Sequence, residues 1–188
     1  GSNIHLNERG QEIREKNGSW IVKTNLNKTF ETPNIIIAGG VGSFEPRKLP
    51  LKELEKFENK SVFYSVNNKD LFKGKKISIF GGGDTALDWA LEFSKNSKVT
   101  LIHRRDEFRG APHTLAELKK LKNQGKIFIK TPFQIKSVNN GSDLQEIEIK
   151  SDDDKIEKIP TDIVFGFFGL IMQLGPIAQW GLNMNKKT

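Results

Sequence analysis

The stretch ISIFGGGDTALDWA, Ile77 to Ala90, decides how this chain is read. Ile77–Phe80 has the apolar character of a strand. Three glycines follow, and from Asp84 to about Lys95 the residues Ala86, Leu87, Ala90 and Leu91 recur at helical intervals as one apolar stripe. A strand-to-helix turn delivers the helix N-terminus, with its unpaired N–H groups and positive dipole end, to the edge of a sheet. A phosphate can settle there only if side chains leave room. Gly81-Gly82-Gly83-Asp84-Thr85-Ala86 fits the dinucleotide fingerprint G-x-G-x-x-G/A. In that reading Gly81 makes the tight turn, Gly83 admits the phosphates, and Ala86 lets helix and strand approach. The plainer alternative is a glycine-rich turn without a ligand. The strand before, the helix after and a second strand at the right interval favour the fingerprint.

That second strand lies in VTLIHRRDEFR, from Val99. A site for NAD carries an acid about twenty residues after the glycines, to hold the ribose hydroxyls. Here His103, Arg104 and Arg105 occupy that position, with Arg109 four residues beyond. A carboxylate repels a 2′-phosphate, whereas guanidinium groups pair with its oxygens in a bidentate way. The chemistry expected is therefore NADP(H); the competing reading is a basic surface patch.

Moving outward, GSWIVKTNLNKTFET predicts two short strands, at Trp20–Thr24 and near Phe30. NIIIAGG, Asn34 to Gly40, reads as a strand buried on both faces. Pro46 and Pro50 bracket a linker and a domain boundary. SVFYSV, Ser61 to Val66, is a short strand; Thr114 and Glu117 have capping-box spacing and predict the start of a second helix that buries Leu115, Leu118 and Leu121. KIFI is another strand. LQEIEIK alternates and makes a half-buried hairpin with SDDDK as its tip, and TDIVFGFFG is a last buried strand. The fold class is α/β, a Rossmann-like doubly wound parallel sheet with helices on both faces and a late β-meander crossover.

Composition narrows the classes. With 188 residues and 13 Phe the chain can build a core, and no apolar run reaches the ~20 residues of a membrane helix, so no membrane partner is expected. The absence of Cys rules out disulfides, thiolate metal sites and a dithiol centre within this chain, and fits a cytoplasmic protein. The net charge of +7 leaves a basic nucleic-acid-binding module as an alternative, but its aromatic residues fall mostly in apolar strands, so no nucleic-acid partner is expected. The Asp152–Asp154 run is read as a solvated hairpin tip rather than a cation site, and Trp89 as packing. Lys119, Lys120 and Lys122 are read as a solvated helix face.

GGGDTALDWAL followed by VTLIHRRDEFR resembles the pyridine-nucleotide domain of thioredoxin-reductase-like flavoproteins. NIIIAGGVGSFEPRKL resembles the segment leaving their flavin domain. SVFYSV stands where thioredoxin reductases carry their dithiol, without a cysteine, and GLIMQLGPIAQWGL resembles the return to the flavin domain in bacterial ferredoxin–NADP⁺ reductases of this type. The resemblance covers nearly the whole chain. The family's earlier flavin-domain glycine motif and its late Gly-Asp motif are not in it.

What the resemblance implies is a division into residues 1–48, a partial FAD-domain segment with a β hairpin, a buried strand and the linker; 49–168, the NADP(H)-binding domain; and 169–188, the start of the return segment. It implies that Gly81, Gly82, Gly83, Asp84, Thr85 and Ala86 cradle the pyrophosphate. Arg104, Arg105 and Arg109 would grip the 2′-phosphate, with His103 at the adenosine end. Gly169 would pass near the nicotinamide, and Phe44 would face the flavin. In the full-length protein, hydride would pass between NADPH and FAD and single electrons to ferredoxin or flavodoxin; that protein is expected to be a homodimer, and the present chain alone to be inactive. Another two-domain flavoprotein of the thioredoxin-reductase type is the alternative, disfavoured by the lack of Cys.

Overall fold

The computed structural model describes residues 3–40, 43–139 and 141–183. The chain divides into two compact units, Gly1–Glu45 with Ile171–Thr188, and Pro46–Leu170.

The first unit opens with an antiparallel sheet of β1 (Gly10–Lys16), β2 (Ser19–Thr24) and β3 (Thr29–Thr32), in that order. The two predicted strands are present, and β1 is an addition. Its signal is Asn17-Gly18, both at positive φ (52° and 79°), which joins Lys16 to Ser19 as a two-residue hairpin turn. The expected buried strand at Asn34–Gly40 is not formed. Among the described residues no strand pairs with it, and Ile36 is 93% exposed. An apolar run becomes a buried strand only with ladder partners on its edges. β4 (Ser43–Pro46) instead pairs with the last strand, β13 (Leu170–Gln173).

The second unit contains β5 (Val62–Phe63), β6 (Lys76–Phe80), α1 (Asp84–Phe93), β7 (Lys98–Ile102), α2 (Pro112–Asn123) and β8 (Ile127–Lys130). Then come β9 (Phe133–Val138), β10 (Glu146–Ser151), β11 (Ile156–Pro160), β12 (Ile163–Gly166) and β13 (Leu170–Gln173), the last crossing into the first unit. A five-stranded parallel sheet has the order β5-β12-β6-β7-β8, and the ladder ends level, with Gly166 beside Phe80 and Phe80 beside Ile102.

Helices on both faces were expected; instead both lie on one face. Ile77, Ile79, Val99, Leu101 and Phe165 pack with Ala86, Leu87, Ala90, Phe93 of α1 and Leu118 of α2. The alternate residues Phe80, Ile102 and Val164 pack on the opposite face with Phe133, Ile147, Ile149 and Ile159 of the antiparallel sheet β11-β10-β9. Handedness explains the division. The chain runs from β6 to β7 to β8 in one direction, so right-handed crossovers put both helices on one side. It then returns from β8 to β12, in the opposite direction, and a right-handed return must lie on the other side. The meander fills that position.

The predicted capping box also fails. α2 begins at Pro112 with Ala111 before it and no side-chain cap, so Thr114 lies inside the first turn. Proline at the first helical position has no N–H to satisfy and a pre-set φ, and that is the working start signal. Leu118 is buried, with Leu115 and Leu121 partly so. The Asp152–Asp154 tip is exposed, and Trp89 stacks on Phe93 with ring centres 5.2 Å apart.

Phe165 anchors the helical face. It is 0% exposed and lies 5.1–5.7 Å, ring centre to ring centre, from Phe63, Phe72, Phe93 and Phe167. Phe165→Ala is expected to lower stability by about 3–5 kcal/mol, read as the shift of the urea midpoint at unchanged slope.

Candidate functional site

In an open parallel sheet a ligand crevice forms at the strand C-termini, where the chain order reverses. Here that point lies between β6, from which the first helical crossover departs on one face, and β12, at which the meander arrives from the other. Gly81 continues the ladder there: its N–H donates to Ile102 O (3.1 Å), and Phe167 N–H donates to Phe80 O (2.8 Å).

The glycines have three different causes. A Cβ on Gly81 would meet Ala86 Cβ and Phe167 O, each at 2.7 Å, so this pair brings α1 down onto the sheet edge. A Cβ on Gly82 would collide with the His103 imidazole, which lies across it. At Gly83 the nearest atom is Arg109 O at 4.0 Å, so nothing in the protein requires glycine there. Room is left for something else. Beside it, the N–H groups of Gly82, Gly83 and Thr85 find no acceptor among the described residues, while Ala86 and Leu87 N–H both donate to Gly83 O. Open space, free donors and the dipole end of a ten-residue helix form a cradle suited to an anion.

The loop after β7 supplies the cations. His103 N–H donates to Lys130 O (3.0 Å), and its carbonyl accepts from Phe133 N–H (2.9 Å), which sets where the loop leaves the sheet. Arg104, Arg105 and Arg109 are exposed and enter no ion pair among the described residues, although the acids Asp106 and Glu107 stand between Arg105 and Arg109. The loop comes back to the glycines: Arg109 N–H donates to Gly82 O (2.6 Å), and Gly83 and Arg109 form a parallel bridge. The structure thus brings Gly81–Ala86, His103 and Arg109 into one site, with Arg104 and Arg105 on the same loop. Gly169, three residues beyond β12, has φ +83° with open space around it and accepts from Arg47 N–H (3.0 Å). Phe44 belongs to the other unit, in β4, 54% exposed.

Two features went unread in the sequence. Phe108 stacks on His103, ring centres 5.3 Å apart, and Gly110 packs so closely on Leu87 that no Cβ fits. Neither falls in a periodic segment, so only the spare Gly110 before Pro112 hinted at a close approach.

The family comparison agrees with this geometry. Residues 2–188 match the model of the pyridine nucleotide-disulphide oxidoreductases. The chain belongs to that family. Within it, the chain is 59% identical over 98% of its length to the ferredoxin–NADP reductase of Pelagibacter ubique (strain HTCC1062), covering 55% of that protein. It is 42% identical over 96% of its length to the ferredoxin–NADP reductase of Rickettsia felis (strain ATCC VR-1525 / URRWXCal2), covering 54%. It therefore spans about half the length of the curated relatives it matches. Among solved structures, Lactococcus lactis thioredoxin reductase superposes with a TM-score of 0.72 at 22% identity, covering 93% of this chain and 57% of that one. A bacillithiol disulfide reductase from Staphylococcus aureus gives 0.74 at 18%, covering 95% and 53%. These two likenesses establish the Rossmann-like fold of the family. Among the described residues no helix is long and apolar enough to cross a membrane, and no group of acids and histidines is placed to hold a metal.

The glycines should separate on substitution. Gly81→Ala is expected to cost about 1–3 kcal/mol through overpacking against the Phe167 backbone, whereas Gly83→Ala stays within about 1 kcal/mol of the parent chain. Urea denaturation of both variants checks this.

His103 should give the site a pH signature. Burial, then the charges of Arg105 and Arg104, hold its imidazole below the ordinary value of 6.5, so the folded chain keeps it neutral. Below pH 6.5 the unfolded chain takes up a proton that the folded chain resists, and stability falls as pH falls. His103→Phe retains a flat ring over Gly82 and should lose less stability than the parent between pH 7.5 and about 5.5, above the range where carboxylates titrate. Denaturation midpoints at the two pH values measure the difference.

Proposed function

We propose that this chain is the NADP(H)-binding part, with flanking pieces of the FAD domain, of a flavin-dependent ferredoxin or flavodoxin–NADP⁺ reductase. Residues 49–168 bind the nucleotide, and residues 1–48 and 169–188 belong to the flavin domain. One observation carries the choice of nucleotide: exposed guanidinium groups at Arg104, Arg105 and Arg109, free of ion pairs among the described residues, stand where an NAD site has a carboxylate. The identity to proteins named ferredoxin–NADP reductase supports the reaction. The absence of Cys in the chain, including at SVFYSV, disfavours the dithiol reading.

The residues fit the nucleotide. Gly83, with space for an approaching oxygen, and the free N–H groups of Gly82, Gly83 and Thr85 receive the pyrophosphate. The arginines receive the 2′-phosphate, and the neutral His103 ring, held on Gly82 and Phe108, lies at the adenosine end. Gly169 passes near the nicotinamide, and exposed Phe44 faces the flavin of the whole protein. A bound nucleotide would supply hydride chemistry to the flavin of the whole protein, and the flavin would supply the change from paired to single electrons. This chain's residues bind and orient; no acid or base is demanded of them.

Calorimetric titration with NADPH and NADH tests the reading. The chain should prefer NADPH, and an Arg104→Ala, Arg105→Ala double variant should lose about tenfold to a hundredfold in NADPH affinity while NADH binding holds. Equal affinity for the two nucleotides, or a preference untouched by the double variant, would refute it.

A further inference from the structure

We infer that Asp84 is a positioning residue for nucleotide choice: its carboxylate pins the arginine loop to the phosphate cradle. The inference rests on the NADP(H) reading and assigns Asp84 a task other than contact with phosphate. An acid at the first position of α1 is well placed for the helix dipole. Beside a pyrophosphate, however, its charge works against the ligand, so the dipole alone does not explain it. Its side chain is otherwise engaged: Asp84 Oδ1 accepts from Ala111 N–H at 3.1 Å, across 27 residues of sequence.

The loop needs that tie. From Arg104 to Phe108 no backbone–backbone hydrogen bond is formed among the described residues, and the stretch carrying two of the three arginines leans inward only on the His103 ring, which meets the Glu107 backbone and stacks on Phe108. At one end His103 is bonded to Lys130 and Phe133. At the other stand the Arg109–Gly82 bond, the close packing of Gly110 on Leu87, and the Asp84–Ala111 bond. Of these, the Asp84 bond is the tie between a side chain of the phosphate turn and the far end of the loop. It runs from the residue directly after Gly83 to the residue directly before α2, and so fixes both ends of the anion site relative to each other. Guanidinium groups choose between a 2′-phosphate and a 2′-hydroxyl only when held in register with it.

The test is calorimetric titration of the 188-residue chain with NADPH and with NADH, for the parent, Asp84→Ala and Asp84→Asn, beside their melting temperatures. Asp84→Ala should weaken NADPH about tenfold and NADH less than about twofold, with melting changed by only a few degrees. Asp84→Asn keeps the carbonyl acceptor without the charge and should retain the NADPH preference. A parent that prefers NADPH and an Asp84→Ala variant that keeps the preference overturn this inference alone. So does an equal loss for both nucleotides, which marks general damage to the cradle, or an Asp84→Asn variant as impaired as the alanine. A parent that binds neither nucleotide overturns the NADP(H) reading and this inference with it.

Discussion

The close approach at Gly81 is the contact on which the rest of the site depends. With no Cβ there, Ala86 of α1 and the carbonyl of Phe167 both reach the end of β6, within 2.7 Å of where a Cβ would stand. That one vacancy brings three things to a single point: the end of a central strand, the start of the helix, and the chain leaving β12. A larger residue would push the helix off the sheet and with it the only row of free N–H donors that the turn offers. The cradle is therefore a product of packing before it is a product of polar chemistry.

Around this point, electrostatics are arranged by exclusion. Some lysines elsewhere are paired, as Lys69 is with Glu92 and Lys130 with Glu157, whereas Arg104, Arg105 and Arg109 enter no ion pair among the described residues. Their guanidinium groups are held near a helix N-terminus that already favours anions, and His103 before them is kept neutral by its burial and by Arg105 and Arg104. The desolvation is mild, because the arginines are exposed, so the affinity they offer is one that salt weakens.

The handedness of crossovers determines what stands on each face of the sheet. Strand periodicity marked β6, β7 and β12 correctly, and helical periodicity marked α1, since each buries an apolar pattern local to itself. Whether the return from β8 was to be covered by a helix or by the meander could not be read from any one segment. Leu144, Ile147 and Ile149 advertise a buried face, but only the assembled sheet supplies Phe80, Ile102 and Val164 for them to cover. The Asn34–Gly40 run shows the opposite case: three isoleucines in a row predict burial, and with no partner strand among the described residues Ile36 and Ile37 are exposed and Ile35 is only half-buried.

The sequence by itself determined the strand–glycine–helix unit, the hairpin with its acidic tip, and the placing of arginines where an acid would select NAD. These follow from local sterics, periodicity and charge, which act over a few residues. Only the tertiary structure decided that Gly82 serves the His103 ring, that Gly83 alone is left free, and that Asp84 reaches Ala111. Those are meetings between segments about twenty to thirty residues apart, set by how β7 and its loop lie on the sheet edge, and no spacing along the chain carries that distance.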